Sequence, residues 1–128
     1  MKTEKDIILN IPKDCDNAPK RRIIRDFVVA FYKKDWQRIN EILEDKFTFK
    51  IIGDRNIEAT DDFVKYLDSY INVIELNIDE ILSHGKYGAC NGTMKNKAEE
   101  INIAYFFEFQ SASKNTIKTI SEYKIINQ

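Results

Sequence analysis

The order of hydrophobic periods along the chain limits its fold more than any other feature. Through the first half, apolar residues recur every three to four positions, and through the second half they recur at every second position. A period near 3.6 buries one stripe of a helix, and a period of two buries one face of a strand. Helices gathered in one half and strands in the other predict an α+β architecture. Three N-terminal helices are expected to pack on a strongly curved, mainly antiparallel sheet, because long strands twist and bend at bulges or glycines. Such a sheet closes into a cone with a pocket between it and the helices.

Asn17-Ala18-Pro19 opens the first helix: an amide able to accept from free N–H groups, then a proline in the first turn. Ile23, Ile24, Phe27, Val28 and Phe31 form its apolar face, to about Lys34. Asp35 caps a second helix that carries Trp36, Ile39 and Leu43, and Thr60 with Asp61 and Asp62 opens a third that carries Phe63, Tyr66, Leu67 and Tyr70. Between them, Phe47 to Ile52 reads as a strand that ends at the turn Gly53-Asp54.

Strand alternation follows. Ile74, Leu76, Ile78 and Leu82 share one face of a strand from about Ile71 to Ser83, and Gly85-Lys86 turns the chain. Gly88 and Gly92 are expected bending points of the next strand. Ile101, Ile103, Tyr105, Phe107 and Phe109 alternate on a third long strand, and Ile117, Thr119, Ser121, Tyr123 and Ile125 on a fourth. The polar turns Lys95-Asn96-Lys97 and Ser113-Lys114-Asn115 make the set a meander of hairpins.

A chain of 128 residues, 43% hydrophobic, is the size of one domain, read here as residues 1–128 with 1–16 as an N-terminal arm. Its 20 basic and 21 acidic residues generate no long-range field to gather phosphates or anionic lipid, so nucleic acid and membrane are not expected partners. The cluster Lys20, Arg21, Arg22 and Arg25 reads as a solvated helix face. Two cysteines, Cys15 and Cys90, and one histidine give no zinc-ligand set, so no metal and no cofactor are expected. The charged start, Met1 to Asp6, followed by Ile7 to Ile11 and Pro12, is neither a secretion signal nor a membrane span, and free thiols in a reducing cytoplasm are the expectation.

The segments Asn17-Ala18-Pro19-Lys20, Ile52-Gly53-Asp54, His84-Gly85-Lys86, Asn91-Gly92-Thr93, Phe107-Glu108-Phe109 and Ile117-Lys118 through Tyr123 are similar, in order and spacing, to the nuclear transport factor 2-like superfamily. The likeness runs from about Asn10 to Ile126 and points to a bacterial, SnoaL-like and ketosteroid isomerase-like branch of small proteins. The resemblance implies a cystatin-like cone with a pocket on its concave side and a homodimer through the outer sheet face. It implies no single reaction, because relatives include isomerases, cyclases, dehydratases and transport factors. The isomerases of this superfamily place a carboxylate base three residues before a glycine at the end of the first strand. Lys50 stands there in this chain, and Lys46 replaces a second expected acid. An ordinary protonated lysine cannot accept a proton.

Among single residues, His84 abuts the Gly85 turn and reads as a hairpin-end histidine without catalytic duty. Glu80 interrupts an apolar strand face and reads as solvated at a strand end. Glu108 and Glu122 form a carboxylate pair if both face the pocket, and outward is the favoured orientation because Phe107, Phe109 and Tyr123 make the better core face. Tyr32, Trp36, Phe49, Tyr66 and Tyr105 come from separate elements that the fold brings together, and with Asn91 they are the candidate ligand-binding set.

Three functions fit these residues. One is binding of a small apolar or aromatic molecule in an aromatic-lined pocket. Another is a cofactor-independent isomerase, cyclase or dehydratase that uses Glu80, Glu108 or Glu122. The last is a dimerisation or interaction module whose core is filled.

Overall fold

A computed structural model describes residues 6–13, 18–70 and 72–126. Three helices pack on a curved, mixed sheet of seven strands. Helix α1 spans Pro19–Lys33, α2 Trp36–Ile42 and α3 Thr60–Ser69. The strands are β1 (Ile8–Asn10), β2 (Leu43–Ile51), β3 (Arg55–Ile57), β4 (Glu75–His84), β5 (Tyr87–Lys95), β6 (Glu100–Ser111) and β7 (Lys114–Ile126). Their order across the sheet is β1-β4-β5-β6-β7-β2-β3.

The expected meander is its centre, since β4 to β7 pair antiparallel in sequence order. The flanks are parallel: β2 runs beside β7, and β1, inside the stretch read as an arm, runs beside β4. Parallel neighbours need long connections: all three helices lie between β1 and β4 in sequence, and β3, α3 and the strands β4 to β6 lie between β2 and β7.

The helices bury most of the predicted stripes, but Leu43, expected on α2, is the first residue of β2, and Ile23 and Trp36 are only half-buried. On α1, Ile24, Phe27, Val28 and Phe31 are buried, and Lys34 ends the helix in the left-handed conformation, φ 60°. Asn17 and Cys15 lie outside the described residues, as does Ile71. Asp35 caps α2 by accepting from the Arg38 N–H at 3.2 Å. The cap of α3 is Ala59 rather than Thr60, which is its first helical residue, and Asp61 and Asp62 in the first turn supply the favourable charge. Lys20 departs from the solvated reading of the basic cluster. It is buried, donates to the Ala112 carbonyl and to Asn115 Oδ1 at 2.9 Å each, and lies over the Phe109 ring, tying α1 to the β6–β7 turn.

Two β-bulges decide which side chains face the helices. In β4, Ile78 pairs with Gly92 and Glu80 with Asn91, so Asp79 is an extra residue. In β7, Ile117 pairs with Phe109 and Thr119 with Glu108, so Lys118 is extra. Each extra residue reverses the alternation beyond it. Leu82, expected on the face of Ile78, is therefore 65% exposed, and Ile81 is buried in its place. On β7, Thr119, Ser121, Tyr123 and Ile125 leave the face of Ile117, while Ile120 and Glu122 turn inward.

Phe31 is the hub of the core, with the rings of Phe27, Tyr32, Phe49, Phe63, Tyr66, Tyr70 and Tyr105 at centroid distances from 5.0 to 6.4 Å. The contacts with Tyr32, Tyr70 and Tyr105 are edge to face, a geometry that ring quadrupoles prefer.

Candidate functional site

Glu122 is the centre of the polar part of this core. The Lys118 bulge points it inward opposite Tyr105, and it is 1% exposed. Tyr105 donates to its Oε2 at 2.7 Å and Tyr70 to the same oxygen at 3.0 Å. Tyr66 donates to Oε1 in a short contact. The three donors come from β6, the end of α3 and its last turn, so the carboxylate joins the sheet to the helical layer. Tyr32, on α1, lies 2.6 Å from the Tyr105 hydroxyl.

Proton inventory fixes the direction of this network. A phenol carries one proton and an ionised carboxylate accepts only. With the Tyr66, Tyr70 and Tyr105 protons directed at Glu122, Tyr32 is the donor to Tyr105. Burial first, and then the nearby Glu122 charge, push the Tyr32, Tyr66 and Tyr105 hydroxyls above the ordinary phenol range; burial, then Tyr32 and Glu122, do the same for Tyr70. All four stay protonated donors through the ordinary pH range.

Lys124 closes the outer end of the cluster. It continues the face of Glu122 on β7, and its Nζ donates to the Tyr66 hydroxyl at 2.9 Å and lies 3.8 Å from Glu122 Oε1. The same ammonium is 4.9 Å from the Tyr70 ring centroid and 5.3 Å from that of Tyr66. Arg55, on β3, also approaches the Tyr66 ring, at 5.9 Å.

Of the candidate binding residues, Tyr32, Tyr66 and Tyr105 meet in this network, and Phe49 stacks on Phe31 behind it. Trp36 packs on Phe63 at the edge of the core. Asn91 lies elsewhere: it is exposed on the outer sheet face, where its amide donates to Glu80 at 3.5 Å. His84 is exposed on the same outer face, and Glu108 is there too, paired with Lys86 at 3.3 Å. Glu108 and Glu122 thus lie on opposite faces and form no pair. Glu122, expected outward, is the inward one, and Tyr123 is the outward one, because alternation counted from Ile117 omits the bulge. Lys50 lies between the inward Phe49 and Ile51 and so faces away from the core.

Tyr70 and Lys124 are site residues that the sequence reading missed. Tyr70 was legible as a helix-face aromatic and Lys124 only through the bulge. Among the described residues no cluster of histidine, cysteine, aspartate and glutamate has metal-binding geometry. Burial pushes the Cys90 thiol up to about 12, which leaves it protonated and unreactive.

The outer sheet face carries a different feature. Leu82, Ala89, Ala104 and Phe106, with Glu80 and Asn91, line an open depression of about 200 Å³. Phe106 stands 58% exposed beside it and meets Tyr123 edge to face at 6.4 Å.

No protein-family model matches the sequence, and no curated protein matches it. Solved structures do match the fold. An NTF2-like protein of unknown function from Burkholderia xenovorans superposes with a TM-score of 0.73 at 9% identity, covering 89% of this chain and 88% of that one. Another NTF2-like protein of unknown function, from Cytophaga hutchinsonii, gives 0.66 at 13% identity over 98% and 95% of the two chains. An LEH-like epoxide hydrolase of M. tuberculosis gives 0.65 at 17% identity over 84% and 83%. Identities this low establish the nuclear transport factor 2-like fold and nothing finer; that fold carries an enzyme and proteins without an assigned role alike.

Proposed function

We propose that this domain binds a small, largely apolar or aromatic molecule inside the cone, with the Glu122 cluster reading one polar group of the ligand. The observation that supports it best is the buried carboxylate itself. A well-packed apolar residue fills a core at no greater cost than a buried ion pair, yet here an acid, four phenols and a lysine converge in an otherwise aromatic wall. Small-molecule sites have that composition: apolar walls and a few convergent polar groups. Tyr66 and Tyr70, each 9% exposed, are the least buried tyrosines of this cluster, and among the described residues the α3 backbone runs closely along no other element for any length. Displacement of the end of α3 admits the ligand.

Titration with a panel of small aromatic alcohols, acids and amines, followed by backbone NMR and thermal shift, tests this reading. Shifts centred on Tyr66, Tyr70 and Tyr105, weakened at least fivefold in Tyr70→Phe, are the expected result. A panel that moves no resonance and no melting temperature overturns it.

The same carboxylate favours a second reading, proton abstraction in a cofactor-independent isomerase, cyclase or dehydratase. Glu122 would be the base, and the Tyr66, Tyr70 and Tyr105 hydroxyls that donate to it would hold its carboxylate in place. In that case Glu122→Gln abolishes turnover while ligand binding persists. The close ring packing around Phe31 supports the remaining reading, an interaction module with a filled core.

The outer face supports a homodimer. Phe106 is a protruding ring and the Ala89–Ala104 depression a hollow within one patch, so a two-fold axis can seat each ring in the other's hollow. Phe106→Glu is expected to raise the dimer dissociation constant at least a hundredfold in sedimentation; a protein that sediments as a monomer before the substitution refutes this. No helix among the described residues is long and apolar enough to cross a membrane. The reading places the domain in the cytoplasm, away from nucleic acid and membrane, which the balanced charge and the free Cys90 thiol support.

A further inference from the structure

The position of Lys124 says what kind of polar group the site accepts. Its ammonium sits against two tyrosine rings, donates to a phenol oxygen and faces a buried carboxylate. These are the elements by which proteins recognise an organic cation: aromatic faces carrying negative quadrupole, and an anion behind them. The four-carbon stem of Lys124 reaches this position from a residue whose backbone is on the open part of β7, and its side chain keeps 28% exposure. The head group is therefore partly withdrawn from water and can return to it by rotation about its own stem.

Hydrogen-bond inventory points the same way. Every phenol proton of Tyr66, Tyr70 and Tyr105 is directed at Glu122, so these hydroxyls have acceptor lone pairs left and no donor. An incoming anion or carbonyl would find only Lys124 to donate to it. An incoming ammonium would find phenol oxygens, two ring faces and the Glu122 charge. Arg55 approaches the Tyr66 ring as well, although it is exposed and paired with Asp54 at 3.1 Å, so its charge is largely met in solvent.

We propose that the Glu122 cluster is a binding site for a small organic ammonium compound with an apolar body, and that the Lys124 ammonium occupies the cation position as a tethered internal ligand which the true ligand displaces. This rests on the small-molecule reading above and names the class of molecule. A tethered group competes at an effective concentration in the millimolar range or higher. Lys124 thus weakens the apparent affinity of any external ammonium and sets a threshold below which the site stays closed by its own side chain.

Phenethylammonium, phenethyl alcohol and phenylacetate share a body and differ in charge. Titrated into the protein and into Lys124→Met, which keeps most of the stem, they separate the outcomes. The expected result is phenethylammonium binding at least tenfold more tightly to Lys124→Met than to the original chain, with little binding of the acetate to either. Adding Glu122→Gln to Lys124→Met is expected to remove the preference for the cation. If Lys124→Met unfolds, NMR of the original chain serves: phenethylammonium at millimolar concentration should shift the Lys124 side-chain resonances toward solvent-exposed values. Binding of the alcohol or the acetate in preference to the ammonium overturns the cation site and leaves the small-molecule reading standing. Binding of none of the three to either protein overturns the cation site, and an equally silent wider panel overturns both.

Discussion

Glu122→Ala is expected to lower the unfolding free energy by about 3 to 5 kcal/mol, the range for removing one partner of a buried, hydrogen-bonded charge set. The loss has little to do with the volume removed. Three phenol hydroxyls from β6 and the end of α3 lose their acceptor at once, and each buried polar group left unsatisfied costs about 1 to 3 kcal/mol before relaxation. The Lys124 ammonium is less affected, because it can swing to solvent. Tyr32 keeps its bond to Tyr105, so the damage concentrates where the sheet meets α3. Glu122→Gln should fall between the two proteins: the amide oxygen still accepts, but its NH₂ group confronts phenols that are themselves donors. Urea denaturation of the three proteins measures the series. A Glu122→Ala protein within about 1 kcal/mol of the parent would mean that the network is not what fastens α3 to the sheet.

How much of this was legible in the sequence depends on where a bulge intervenes. The helical stripes, the central meander and the turn at Gly85 follow from period and turn chemistry, and the α+β cone follows from their order. Ile101 to Phe109 alternate without interruption, so the inward placement of Tyr105 and Phe107 was readable directly. Beyond Ile78 and beyond Ile117 the parity inverts, and a hydrophobic pattern does not announce it: Leu82 is as apolar as Ile81, and Tyr123 makes a better core residue on paper than Glu122. A strand count without the bulge therefore places Glu122, the site's buried acid, in solvent. The parallel flanks were equally hidden, because β1 has only three residues and its partner is far away in sequence. The tyrosines were found because polar-tipped aromatics on separate elements are a signal that survives errors of register; Asn91, chosen by position in a strand, does not join them.

The bulge in β4 has its own sequence mark, and it carries the second large effect. Gly92 faces Ile78 where the register shifts. A Cβ at Gly92 would lie 1.8 Å from the Asn77 carbonyl oxygen, 2.8 Å from its carbon and 3.0 Å from the Ile78 Cα. All three are backbone atoms of a paired strand, so nothing there can rotate away. Gly92→Ala is expected to cost at least about 3 kcal/mol, above the usual overpacking penalty, because relief requires β4 to move rather than a side chain. Gly88 makes the useful contrast. A Cβ there would meet the Ile24 Cδ1 at 2.4 Å, the far end of a flexible side chain, and the Leu82 carbonyl oxygen at 3.1 Å, which has to give by only a few tenths of an ångström, so Gly88→Ala should cost about 1 to 2 kcal/mol, less than Gly92→Ala. If β4 escapes the clash by losing its bulge, parity beyond Ile78 reverses: Glu80 and Leu82 turn toward the helices and Ile81 turns out. Exposing Ile81 and burying Glu80 gives a second penalty, and amide exchange should rise from Glu80 to His84 while β6 and β7 stay protected. Equal stabilities for the two alanine variants would show that the close approach of β4 to Gly92 does not set the path of the strand.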